Sequence, residues 1–108
     1  MVIKLRLLLD YRCYPVWLYD EADNIVDTLL PEEMRSDTEL DGKFDRIQVK
    51  YDSLFKNDGI EFSYIGFPND EDKKTFIADW EDAVSDLKAK SGNKYIIVDD
   101  VTSRLDTL

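Results

Sequence analysis

Two short acidic runs are the places in this 108-residue chain where side chains could do chemistry: Asn69-Asp70-Glu71-Asp72 and Asp99-Asp100. Clustered carboxylates can ligate Mg²⁺ or Ca²⁺, or supply the acid–base pair of a glycosidase. Neither run has the ligand spacing or the glycine of an EF-hand loop. The first reads as a helix N-terminus, where the dipole favours acids, and the second as the solvated end of a strand. Cys13 is the one thiol. Only Arg12 supplies a charge beside it, so a small buried or half-buried residue is the expected role. Histidine is absent. That removes the Ser-His-Asp and Cys-His arrangements, the commonest general base and the commonest zinc ligand. A lone cysteine cannot build a thiolate zinc cage, and Gly42, Gly59, Gly66 and Gly92 are too dispersed for a phosphate-binding loop. The expectation is a non-enzyme with no cofactor and no metal.

Charge is the other chemical feature. The chain carries 17 Asp against 7 Glu, 14 Lys plus Arg, and a net charge of −10. Such a surface repels nucleic acid and anionic membranes and attracts a basic protein. Apolar residues make up 44% and aromatics 12% of the chain, enough to bury one core, so a single domain over residues 1–108 is expected. Lys4 and Arg6 interrupt the N-terminal apolar residues, and no apolar run approaches the roughly 20 residues that span a bilayer. With no disulfide framework possible, the expected location is cytoplasmic.

The elements follow from periodicity. Val2 to Leu9 alternates, with Ile3, Leu5, Leu7 and Leu9 on one face. Tyr14 to Tyr19 is a second strand that Pro15 places at its start or at a sheet edge. Turn residues Asp20 to Asn24 lead into a short third strand, Ile25 to Leu29. Pro31-Glu32-Glu33 can open a helical turn. Ser36-Asp37-Thr38-Glu39 fits a capping box for a helix whose stripe is Leu40, Phe44, Ile47, Tyr51, Leu54 and Phe55, closed by Asn57-Asp58-Gly59. Ile60 to Phe67 alternates as a strand. Asn69 or Asp70 caps a second helix with the stripe Phe76, Ile77, Trp80, Ala83, Val84 and Leu87, and Gly92 ends it. Tyr95 to Val98 reads as a central strand, and Thr102 to Leu108 as a frayed tail. The order β-β-β-α-β-α-β predicts an α+β fold, a mostly antiparallel sheet of about five strands with both helices on one face.

Stepping roughly 100° per residue sorts the acids. On the second helix Asp72, Asp79, Asp82 and Asp86 fall within a sector of roughly 80°, beside the apolar stripe. On the first, Asp41, Asp45 and Asp52 share one flank, while Lys43, Arg46 and Lys50 lie on the other and Val49 faces away from the core. Like charges at i,i+4, as in Asp41/Asp45 and Asp82/Asp86, cost a few tenths of a kcal/mol each. Aspartate is also a poorer helix former than glutamate. A sequence shaped only by folding would use Glu interleaved with Lys. These seven aspartates are therefore the candidate contacts to a basic partner, with Trp17 and Tyr19 as candidate aromatic anchors. Core burial is the competing role for Trp17.

The stretches Tyr14-Pro15-Val16-Trp17-Leu18-Tyr19-Asp20, Tyr51-Asp52-Ser53-Leu54-Phe55 and Glu61-Phe62-Ser63-Tyr64-Ile65-Gly66-Phe67 look like those of small bacterial proteins. In size, acidity and α+β layout the chain resembles immunity proteins of bacterial contact-dependent and polymorphic toxin systems. That resemblance implies a cytosolic inhibitor of one cognate toxin domain, often a nuclease with a basic cleft. It carries over no functional residue, because immunity proteins have many unrelated folds. Two other classes stand beside it: a self-associating or adaptor protein of a mobile element, pairing through the edge at Tyr14 to Tyr19, and, ranked lower, a carboxylate-dependent enzyme.

Overall fold

Leu5 and Leu7 are fully buried while the residues between and before them, Arg6 and Lys4, stay partly exposed, the alternation of a strand with one face on a core. In the computed structural model, which describes residues 1–108, the element order is β1 (Val2–Leu7), β2 (Val16–Asp20), β3 (Ile25–Asp27), α1 (Thr38–Asp52), β4 (Phe55–Asn57), β5 (Phe62–Tyr64), α2 (Asp70–Ser91) and β6 (Ile96–Asp99). 3-10 turns occupy Glu32–Met34 and Thr102–Thr107. Four strands form one sheet in the order β3-β2-β1-β6, and β4 and β5 form a separate hairpin. The β1–β6 pair is parallel and every other pair antiparallel. The α+β class and mostly antiparallel pairing match the expectation, but two sheets replace the single sheet of about five strands.

Leu5 and Leu7 of β1 and Val16 and Leu18 of β2 make the inner face of the larger sheet. Leu40, Phe44 and Ile47 of α1 and Phe76, Trp80, Ala83, Val84 and Leu87 of α2 pack into the same cluster. Both helices therefore cover one face, and the rings of Phe44 and Trp80 meet edge-on at 6.3 Å between them. A register shift between Val2 and Lys4 turns Val2, in place of the expected Ile3, toward this core. Pro15 immediately precedes β2, as expected of a strand start, yet the strand is not free to pair with another chain along its length. Leu18 and Tyr19 bond to both β1 and β3. β6 is the edge strand, not a central one, and of its residues only Ile97 joins the core.

Helix ends follow the local chemistry with two departures. Asp37, not Ser36, caps α1, accepting from the Leu40 amide at 3.0 Å. α1 stops at Asp52, short of the expected end. The Asn57-Asp58-Gly59 segment makes a hairpin turn instead of a helix cap: Asp58 Oδ1 accepts from the Ile60 and Glu61 amides at 3.0 and 2.8 Å, and Gly59 takes φ +85°. The Leu54 carbonyl then receives the Ile65 and Gly66 amides at 2.7 and 3.1 Å, tying the hairpin to the end of α1. α2 is capped by Asn69, which accepts from the Asp72 amide at 2.8 Å, and closed by Gly92.

The C-terminal segment is packed, not frayed. Val101 and Leu105 are buried, and the Trp80 indole donates to Thr102 Oγ1 at 3.0 Å. Asp99 accepts the Val101 and Thr102 amides at 2.9 and 3.0 Å. Burial alone would raise its carboxyl, but these bonds and one from the Thr102 hydroxyl hold it below the ordinary value. Asp100 receives Arg6 Nε at 2.6 Å. The Asp99-Asp100 run thus holds the turn into the C-terminal segment and makes an ion pair with Arg6; it is not a solvated strand end. Leu105→Ala is expected to lower the unfolding free energy by about 2–3 kcal/mol, read as an earlier urea midpoint at unchanged slope. A wild-type midpoint would mean that the segment adds nothing to the core.

Candidate partner-binding surface

The two helices lie side by side, so each has a flank that faces its neighbour and a flank that faces away. Lys43 on α1 reaches Asp82 at 3.0 Å and Asp86 at 3.3 Å on α2. Lys50 reaches Asp72 at 2.8 Å. Lys90 bridges Asp86 at 3.2 Å and also pairs with Asp37, the cap of α1. Three of the four aspartates expected as a partner-facing ridge on α2 therefore line an interhelical seam and hold cations of this same chain. Lys43 sits between the like charges of Asp82 and Asp86 and relieves their repulsion. Only Asp79 of that group has no cation within salt-bridge range.

The other flank of α1 is different. Asp41, Asp45 and Asp52 run along it, and Asp10 from the β1–β2 connection joins them. None of the four is in a salt bridge. Asp41 accepts the Tyr14 hydroxyl at 2.9 Å. Asp52 accepts the Arg12 amide and Gln48 Nε2, both at 2.8 Å, and Gln48 also donates to the Asp10 carbonyl. Arg12 is held at φ +56°, costly for a residue with a Cβ. The bond to Asp52 is one interaction that offsets this.

The unbalanced charge shows in its neighbours. Burial, then the charges of Asp10 and Asp52, raises the Cys13 thiol, which fits an inert half-buried residue. Tyr14 is raised by burial, then by its bond to Asp41 and the charges of Asp41 and Asp45. Burial and then the charge of Asp41 push the Asp45 carboxyl up.

An aromatic cluster, absent from the sequence expectation as a surface, stands at the C-terminal end of this flank. Phe55 stacks on Phe62 at 5.2 Å and meets Tyr51 and Tyr64 edge-on at 5.3 Å each. Tyr11 meets Phe62 at 4.9 Å. On the same hairpin Ile60 is 96% exposed, Ile65 62% and Phe62 54%. The alternation from Ile60 to Phe67 was the available signal for these residues. It marked a strand, but not that the strand would leave the main sheet and carry its apolar side into water.

Trp17 and Tyr19 lie elsewhere, on the sheet face opposite the helices with Lys4 and Arg6. Trp17 is half-buried, outside the main core, and its indole nitrogen is shielded from water without a hydrogen-bond partner. Lys4 sits 4.8 Å from the centre of the Tyr19 ring and pairs with Asp23. The two candidate anchors are thus on a different face from the unpaired acid row.

A protein-family model described as Serratia CdiI immunity protein-like matches residues 3–98. The chain belongs to this Serratia CdiI-like immunity protein family. The match takes in β1, both helices, the hairpin and the acid row. No curated protein matches the chain. In this CdiI-like chain the α2 aspartates of the seam pair with lysines, whereas Asp45 of the α1 row carries its charge at a cost to the fold. Because the folded-state pKa of Asp45 lies above its unfolded value, the charged carboxylate destabilises the protein at neutral pH, and the penalty fades as pH falls through the carboxylate range. Asp45→Asn is expected to raise the thermal midpoint at pH 7 by about 1–2 °C, the size set by one i,i+4 like-charge pair. The gain should vanish at pH 3. An equal gain at both pH values would assign it to packing instead of charge.

Proposed function

We propose that this chain is a cytosolic immunity protein that neutralises a cognate toxin domain by binding a basic surface on it with the acid row of α1. Membership of the immunity protein family supports a toxin as the partner. The choice of surface rests on one observation: Asp10, Asp41, Asp45 and Asp52 have no cation of their own, while Asp72, Asp82 and Asp86 have Lys43, Lys50 and Lys90. A carboxylate without an internal cation is free to take one from another protein. Successive turns of α1 set Asp41 and Asp45 about 6 Å apart along the axis and carry Asp52 about 10 Å further. Carboxylates at such intervals can stand in a basic cleft where nucleic-acid phosphates would lie, which favours a nuclease as the toxin. Val49, 71% exposed on the outer side of α1, supplies an apolar contact beside the row.

Complementary charge acts first on encounter. The triple variant Asp41→Asn, Asp45→Asn, Asp52→Asn removes three charges and keeps one acceptor oxygen at each site for the Tyr14, Arg12 and Gln48 donors. Against a candidate toxin domain taken from a reading frame beside this chain's own, it is expected to associate about tenfold more slowly at low salt and to show a shallower salt dependence. The matched α2 variant, Asp79→Asn, Asp82→Asn, Asp86→Asn, should melt earlier but associate at close to the wild-type rate. The reverse pattern would move the binding surface to α2. A wild-type chain that binds no such domain would sink the toxin-neutralising reading itself.

A further inference from the structure

The β4–β5 hairpin exposes more apolar surface than its own stability explains. Each strand is three residues long, and so short a pair is marginal in water without added contacts. Phe55, Phe62, Tyr64, Tyr11 and Tyr51 supply those contacts by stacking on one another. Ile60 takes no part in that stacking, nor does Ile65, and neither packs on the core. A contiguous exposed apolar patch on a small protein marks a contact surface more often than a lone exposed residue does.

We propose that Ile60, Phe62, Tyr64 and Ile65 form the apolar anchor of the interface, seating in a pocket of a protein partner whose rim carries Lys and Arg. This rests on the toxin-neutralising reading and adds the part of the surface that holds the complex once charge has brought it together. The rim chemistry follows from what surrounds the patch. Tyr51 stacks on Phe55 and lies within the field of Asp10 and Asp52, so the cluster and the unpaired acid row meet. On the hairpin itself, Lys56 is shared between Asp58 and Glu61 at 3.9 and 3.8 Å. Carboxylates thus predominate around the patch, with Arg12, 5.4 Å from the centre of the Tyr11 ring and in no salt bridge, as a cation among them.

That border selects the occupant. An anionic bilayer would be repelled by it. A second copy docking through a two-fold axis would bring the acid row against itself. A protein pocket edged with cations matches both the apolar centre and the acidic rim, the usual anatomy of a specific interface.

Two variants test the anchor by biolayer interferometry against the same candidate toxin domain: Ile60→Ser with Ile65→Ser, and Phe62→Ala. The isoleucines are exposed, so the first variant keeps the fold, checked by an unchanged thermal melt. Both variants are expected to weaken binding at least about tenfold, through faster dissociation with little change in the salt slope. The Asp41, Asp45, Asp52 variant acts mainly on association, so the two contributions separate. Wild-type dissociation rates in both hairpin variants would overturn the anchor and leave the toxin reading standing. Absence of toxin binding by the wild-type chain would remove both. A wild-type dimer in sedimentation that the hairpin variants abolish would assign the patch to self-association and overturn the proposal.

Discussion

Two apolar stripes compete for one small sheet face, and the rest of the surface is arranged by how they share it. Leu40, Phe44 and Ile47 on α1 and Phe76, Trp80, Ala83 and Leu87 on α2 must all reach Leu5, Leu7, Val16 and Leu18. Their burial fixes the rotation of each helix about its axis. Once that rotation is fixed, so is the direction of every charged flank. The inner flanks of the two helices face each other across a few ångströms, and there Lys43 and Lys50 of α1 meet Asp72, Asp82 and Asp86 of α2. The outer flank of α1 is left with acids and no cation.

Charges in the seam and charges on the outer flank are therefore different in kind, although a helical wheel drawn for either helix alone treats them the same way. Exposed ion pairs of the seam contribute little one by one, but they share Lys43 and Lys90 and act as a small network. On the outer flank, Asp41 and Asp45 repel; burial and then the nearby carboxylates raise Tyr14, through Asp41 and Asp45, and Cys13, through Asp10 and Asp52. A fold gains nothing from this. Its retention is understandable where the charge serves an encounter with a basic protein, since surface charges affect association rates more than they affect folding.

Single-segment patterns were legible in the sequence; relations between segments were not. α2 was readable almost to its ends because Asn69, the apolar stripe and Gly92 all agree with one helix. Leu54 and Phe55 misled, since both fit the helical period of α1, and only the pairing of Phe55 with Tyr64 shows that the helix has already ended. The acidic ridge on α2 was placed at the right angles, but Lys43 and Lys50 belong to another helix, and no wheel shows which neighbour a flank will meet. Tyr95 to Val98 read as central because it is continuously apolar. Beside β1 it is an edge whose Ile96 and Val98 look away from the helices. The tail, Thr102 to Leu108, looked frayed because it is short and terminal, yet Leu105 is buried in the core and Thr102 accepts the Trp80 indole N–H.

The hairpin shows the same limit and points to its cause. From Ile60 to Tyr64 the residues alternate as any half-buried strand does, which says that one side is apolar but not what will cover it. In this chain β1 and β2 are paired on both sides and the helices already cover the inner face, which leaves the main sheet only its outer edges at β3 and β6. The strand pairs instead with the residues just after α1, and its aromatic side is shared between self-stacking and solvent. A hydrophobic surface that the chain's own topology cannot cover is either a liability or a contact. Its position at the end of an acid row with no internal cation favours the contact, because an uncovered apolar patch and an unpaired acid row together describe one complementary surface.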